Sequence, residues 1–393
     1  MNSKIGASRM LFNVGPLEII GIAVAILFIL LLPRIIRMRL VSSVVQATSE
    51  LEAMVNSSQE LLVRLCQEKG NPQGDTAKLV ENYLEFFMIP PVDLDPHGIM
   101  EKYRMILDLS DDHFQRMAWE LAPGADQEWT SNIVMTLKSI LGLNGVYKMV
   151  RHNLVLAQKT GNLQALLMLQ MNLPLIMRIV KAQFEGVHAF SEGKPIGDGL
   201  GPLITGMLLK KFVKLDERDG MIIGRREMDG RHVIIARAKG PGARVGKVGP
   251  TISSLLEEEG LKRIITVDAA VKLEGERTGT IAEGVGVVIG GPGVDKWMVE
   301  EFMVKGDLQA DAVIVKMSPE EAISQMSEEI MKASRKAFYV VRDSIYRSEI
   351  GDKILVVGVG NSCGLPNIIT DPGKIDIKKV ENENKKEGRT WPF

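Results

Sequence analysis

An uncharged run from Ile19 to Leu32, Ile-Ile-Gly-Ile-Ala-Val-Ala-Ile-Leu-Phe-Ile-Leu-Leu-Leu, constrains this chain more than any other stretch. With the apolar residues before Glu18 and after Arg34 it reaches the roughly 20 residues that a bilayer core requires. A buried helix is the competing reading. A cleaved signal peptide fits poorly, because Pro33-Arg34-Ile35-Ile36-Arg37 follows where small cleavage-site residues belong. Residues 1–39 therefore read as a single-pass anchor in the cell membrane. Arg34, Arg37 and Arg39 lie after the run and Lys4 and Arg9 before it, so the positive-inside tendency puts the bulk of the chain in the cytoplasm.

The remainder is long enough for real cores. Of the 393 residues, 48 are Lys or Arg and 49 Asp or Glu, so no global charge calls for nucleic acid as a partner. The two cysteines, Cys66 and Cys363, have no neighbour at metal-ligand spacing, and a reducing compartment fits them.

Residues 40–190 carry helical periodicity. Leu51, Met54, Val55, Ser58, Leu61, Leu62 and Leu65 recur at spacings of three and four, with breaks at Gly70-Asn71-Pro72, Pro90-Pro91, Pro123-Gly124 and Gly161-Asn162. Met135, Met149, Met168, Met171 and Met177 read as core filling rather than as a promiscuous groove. His97, His113, His152 and His188 are scattered without metal-binding spacing.

The turn-forming cluster Ser191-Glu192-Gly193-Lys194-Pro195 marks the boundary to an α/β domain over residues 191–373, followed by a charged, mobile tail over 374–393. Strands are expected over 221–224, 233–238, 264–267, 285–289, 312–316 and 354–358, and helices over 203–212, 251–259 and 319–346. Such alternation predicts a three-layer α/β/α domain around a mostly parallel sheet.

Two glycine-rich loops fail as cofactor motifs. Lys239 to Pro250 lacks the Ser or Thr after Gly-Lys that would hold magnesium, though a basic loop opening a helix at Thr251 can receive a carboxylate or another anion. Gly358-Val359-Gly360-Asn361-Ser362-Cys363 follows a strand but has Cys where a dinucleotide fingerprint needs glycine. Cys363 is a packing residue ahead of a nucleophile, since no histidine lies near it in sequence. No cofactor and no metal site is expected.

Two aspartates remain. The β-branched run Ile264 to Val267 ends at Asp268, the pattern of a buried strand delivering a carboxylate to a sheet rim. Asp198 precedes a helix, and an N-cap role alone would account for it. Two carboxylates brought close cannot both ionise easily, so one can act as acid while the other acts as base. The dense glycines Gly284, Gly286, Gly290, Gly291 and Gly293 predict close backbone approach to a ligand beside Asp268. Glu274, Glu276 or Glu283 joining the aspartates around a metal is the weaker arrangement.

Two segments carry a resemblance: Gly193-Lys194-Pro195-Ile196-Gly197-Asp198-Gly199-Leu200-Gly201-Pro202-Leu203 and Thr266-Val267-Asp268-Ala269-Ala270-Val271-Lys272-Leu273-Glu274-Gly275-Glu276. Through them the chain resembles an uncharacterised archaeal family of membrane-anchored proteins. More distantly, the α/β part is similar to the spore germination protease and to hydrogenase maturation proteases, which share a phosphorylase/hydrolase-like fold. The resemblance implies a catalytic pair at Asp198, followed by Leu200-Gly201-Pro202-Leu203, and Asp268, followed by Ala269. In those proteases a strand ending in Gly-x-Gly-Asn precedes the first aspartate; here the matching piece, Ile354 to Asn361, comes near the C-terminus. A circular permutation would reconcile the two and requires Asn361 to lie beside Asp198. The expectation is a cytoplasm-facing peptidase acting on a peptide or protein substrate, with Asp198 and Asp268 catalytic and Gly199, Gly284, Gly286, Gly290, Gly291 and Asn361 lining the substrate site. The alternative is a non-catalytic, membrane-tethered binding or assembly protein.

Overall fold

The computed structural model describes residues 16–91, 98–209, 214–291, 293–305 and 308–378. His97, Lys4, Arg9, Lys210 to Val213 and the tail beyond Lys378 lie outside these residues. The described residues form two units, one within 1–50 and 148–175 and the other within 51–147 and 176–393.

Five helices come first: α1 (Pro16–Gly70), α2 (Thr76–Tyr83), α3 (Ile99–Leu121), α4 (Gln127–Thr160) and α5 (Leu163–Ser191). The apolar start of α1 is long enough to cross a membrane, and Ile19 to Leu32 are exposed along the run. The first unit holds this stretch together with the hairpin made by the end of α4 and the start of α5. In the second unit the helical periodicity is realised as packing: Leu51, Val55, Leu62 and Leu65 of α1 are buried, as are Ile133, Leu137 and Ile140 of α4. The methionines divide. Met135 is partly covered, whereas Met149, Met168 and Met171 are exposed, because the outer face of the α4–α5 hairpin has no neighbour to fill among the described residues.

The α/β part contains α6 (Leu200–Leu208), β1 (Leu215–Arg218), β2 (Met221–Met228), β3 (Arg231–Ala238), α7 (Val248–Glu259), β4 (Arg263–Val271), β5 (Ile281–Val285), α8 (Val294–Lys305), β6 (Gln309–Met317), α9 (Pro319–Ile323), α10 (Glu328–Tyr346) and β7 (Lys353–Gly358). The sheet order is β1-β2-β3-β7-β4-β6-β5. The centre, β3-β7-β4-β6, is parallel. The margins are not: β1, β2 and β3 form an antiparallel meander, and β5 runs antiparallel on β6. The sheet is thus mixed where a mostly parallel one was expected. Its meander turns on Asp219-Gly220 and Asp229-Gly230, with all four residues at positive φ, the geometry of tight hairpins matched to strand twist.

Strand residues alternate between two cores. Ile265, Val267, Ile354 and Val356 pack under α6 and α10, while Ile264, Leu355 and Val357 pack under α7 and α8. Helices therefore cover both faces, as three layers require.

β1 and α8 are not among the expected elements, β2 runs on to Met228, and two further differences have a visible cause. The strand expected over 285–289 ends at Val285: Gly286, at φ +103, turns the chain off the edge, and Val287 and Ile289 are buried from a loop. The helix expected over 319–346 is two helices. Gln325 between them bridges Ile196, Met326 N donates to Pro195 O, and Gly197 N donates to Ser324 O, so this backbone bonds to residues 195–197 instead of continuing the helix. Ser318 and Ser327 cap the two helices. Ordered chain also continues past residue 373: Lys378 N donates to Met326 O at 2.9 Å.

Candidate active site

Asp268 occupies the sixth position of β4, level with Ile314 of β6, at the carboxyl end where the parallel strands give way to loops. Asp198 reaches the same rim from the other core. It lies in a single 3-10 turn, Gly197–Gly199, ahead of α6, and it is not the N-cap; that position is Gly199, with no side-chain bond. The turn is pressed into place from three sides. A Cβ on Gly197 would meet Glu321 O at 2.1 Å, one on Gly199 would meet Asn361 O at 2.9 Å, and one on Gly201 would meet Val359 O at 2.2 Å and Val267 O at 2.5 Å. The first turn of α6 thus sits directly on the ends of β4 and β7, which only glycine at these positions permits.

β7 lies between β3 and β4, and its exit loop passes Asp198: Asn361 N donates to Asp198 Oδ2 at 3.0 Å. The spatial condition for a permuted arrangement, Asn361 beside Asp198, is met. Gly360 makes the approach possible, at φ +126 with its Cβ position 1.9 Å from Asp198 O. Asn361 is buried; its Oδ1 accepts from Cys363 N at 2.9 Å, and its Nδ2 has no hydrogen-bond partner among the described residues.

Asp268 is 3% exposed. Its Oδ1 accepts from Ala269 N at 2.7 Å and its Oδ2 from Gly290 N at 2.9 Å. Burial pushes its carboxyl up to about 7, the charge of Asp198 adds to the rise, and the two backbone N–H groups oppose it. Asp198 is also raised, by burial, against the single N–H of Asn361. Neither carboxylate has a basic partner among these interactions, so the rim holds two buried acids, each raised above the ordinary carboxylate range.

Of the glycines expected at the site, Gly199 and Gly290 are there, with Gly291 adjoining. Gly284 and Gly286 are not: Gly284 pairs with Ala312, and Gly286 N donates to Ala310 O, level with the start of β4. Glu274, Glu276 and Glu283 are engaged elsewhere. Glu283 pairs with Arg347 at 2.7 Å, Glu276 pairs with Lys316 and accepts from Leu273 N, and Glu274 is almost fully exposed. Among the described residues no three His, Cys, Asp or Glu side chains gather as metal ligands would. Cys363 is fully buried against Ala189, Phe190, Ile196 and Ala243, and burial holds its thiol up at about 12, so it packs and does not attack.

The basic loop after β3 receives a carboxylate from within the chain. Gly242 N donates to Glu128 Oε2 at 2.5 Å, Ala243 N to Asn132 Oδ1 at 2.8 Å, and Arg244 pairs with Glu128 at 2.7 Å. Ser362 then ties this loop to Asn361, its hydroxyl lying 2.7 Å from both Lys239 O and Gly242 O and donating its one hydrogen between them. Sequence reasoning missed Gly360 and Ser362 as parts of the site, although both stand in the motif Gly358 to Cys363. Glu128 and Asn132, on a distant helix, have no local signal.

Two family descriptions match the chain. The N-terminal domain of a protein of unknown function (DUF1512) covers residues 18–193, and the C-terminal domain of unknown function (DUF1512) covers residues 196–366. No curated protein and no solved structure matches it.

Proposed function

Since the chain belongs to DUF1512, a family defined by sequence and not by activity, we propose a function from its site alone: a membrane-anchored, cytoplasm-facing hydrolase whose Asp198 and Asp268 share one proton. The supporting observation is the rise of both carboxyls at one sheet rim, with Asp268 near 7 and partly raised by Asp198. A pair with one proton at neutral pH supplies base and acid together. The ionised partner takes a proton from water as the water oxygen bonds to an amide carbon. The protonated partner gives its proton to the amine nitrogen as the C–N bond breaks. The unpartnered Nδ2 of Asn361 adds a donor for the carbonyl oxygen, on which negative charge develops. A peptide or protein is the substrate class, and kinship with the germination and maturation proteases, by circular permutation, belongs to the same proposal.

A second reading draws on a different observation. Both oxygens of Asp268 already accept backbone N–H bonds, and the side chain is nearly sealed, as suits a carboxylate that braces two loops of a binding or assembly protein. Incubating the detergent-solubilised full chain with a diverse peptide library separates the two. Cleavage by the parent chain that Asp198→Asn and Asp268→Asn each lower by at least a hundredfold is the expected result. Cleavage that survives equally in both variants removes the assigned roles, and no cleavage by folded parent chain between pH 5 and 8 leaves the bracing role.

A further inference from the structure

Acidic residues are missing from one long tract of the helical region. No aspartate or glutamate occurs between Lys148 and Phe184, while Lys148, Arg151, Lys159, Arg178 and Lys181 do. The same holds from Ile19 to Ser49, where Arg34, Arg37 and Arg39 are the charged residues. The two tracts meet at Arg37. Arg37 Nη2 donates to Gln158 O at 3.3 Å, and the Cβ position of Gly161, in the turn between α4 and α5, is 3.6 Å from Arg37 Nη1.

That contact sets the height of the turn. Arg37 lies five residues beyond Leu32, about 7 Å along a helix from the end of the uncharged run, and the headgroup layer of a bilayer leaflet is roughly that thick. Around the turn Leu156, Leu167 and Met168 are exposed beside the exposed Lys159. Apolar side chains interleaved with cations, and with no anion among them, complement a surface of anionic lipid headgroups over fatty acyl chains. The buried residues Val44 and Ala47 on α1, and Val150, Leu154 and Ala157 on α4, occupy the opposite side of the contact from the uncharged run. The turn is therefore the part of the hairpin nearest the anchor.

We propose that the α4–α5 turn, residues 156–168, is a second membrane contact, seated in the anionic headgroup layer beside the point where the anchor leaves the bilayer. It rests on the reading of α1 as a membrane anchor. The contact grades with distance: Asn162 and Leu167 lie in the interface, and Leu175, about 12 Å further along α5, lies outside it.

The test uses the full chain reconstituted in vesicles of phosphatidylcholine, alone or with 30% phosphatidylglycerol. Nitroxide labels are placed singly at Phe28→Cys, Asn162→Cys, Leu167→Cys, Leu175→Cys and Ile350→Cys; the native cysteines are fully buried and do not compete. The expected result has Phe28 in hydrocarbon and Ile350 in water. Asn162 and Leu167 gain several-fold in oxygen over aqueous-nickel accessibility in the anionic vesicles, a gain that Lys159→Glu or 0.5 M salt reduces. Labels at 162 and 167 as wet as the one at 350, with Phe28 in hydrocarbon, overturn the proposal and leave the anchor reading standing. A wet Phe28 label overturns the anchor reading and the proposal with it. Dipolar broadening at 167 between copies assigns the face to a second chain instead, and also overturns it.

Discussion

A carboxyl that titrates near 7 makes the protein's stability depend on pH in a direction opposite to that of most acids. Asp268 binds its proton more tightly in the folded chain, at about 7, than the usual 3.8 of an exposed aspartate. Between those values the native state holds more protons than the unfolded one, so stability falls as pH rises and is lowest once Asp268 has ionised. Three pKa units correspond to about 4 kcal/mol at most. Denaturant unfolding of the parent chain at pH 5 and pH 8 should show about 2–3 kcal/mol of this loss, and Asp268→Asn should lack it. Glycine contributes at the same scale. Gly360→Ala should cost more than about 3 kcal/mol, since it adds left-handed strain to a clash with Asp198 O, whereas Gly291→Ala, at φ +93 in open space, should cost about 1 kcal/mol. Paired melting curves of the two variants check the ranking. Asp268 was legible in the sequence because a run of β-branched residues stops at it. Its partner's setting was not, because the hydrogen bonds that hold residues 195–198 come from residues 324, 326 and 361, far away along the chain.

At the scale of elements, the exit loop of β7 is held by a charge with no counter-ion among the described residues. Arg237 of β3 is fully buried, and its guanidinium donates to Leu365 O at 3.2 Å, Pro366 O at 2.9 Å and Ala238 O at 3.1 Å; burial pulls it down to about 9, still charged at neutral pH. A guanidinium spreads its donors over three nitrogens in a planar fork and so reaches carbonyls that the single nitrogen of a lysine would not reach together. Arg237→Met should cost about 3 kcal/mol through the orphaned carbonyls and should speed amide exchange at Leu365 and Ile369 ahead of the strands. Central strands were readable as short apolar runs, and β3, β4, β6 and β7 all appear close to their expected ranges. The antiparallel meander could have been read too: Asp219-Gly220 and Asp229-Gly230 are hairpin signals. The break between α9 and α10 could not, because a helical pattern runs through it and the bonding of residues 324–326 to residues 195–197 interrupts it.

At the scale of the whole molecule, the turn at 191–195 divides the sequence but not the packing. The start of α4 is bound to the loop after β3 through Glu128 and Asn132, within one unit. Glu128→Ala should leave Gly242 N and the Arg244 guanidinium without their carboxylate, at a cost of about 2–3 kcal/mol. Limited proteolysis should then cut within residues 239–246 before any other site in the α/β part. Composition and periodicity locate helix-rich and sheet-rich halves, yet carry no information on side chains that reach across more than a hundred positions. The central place of β7 has a consequence for biosynthesis. A nascent polypeptide must wait for residues 353–358 before β3 and β4 are joined. Until the ribosome delivers them, two apolar margins stay open to other chains, and a product truncated at residue 350 should aggregate where the complete one does not.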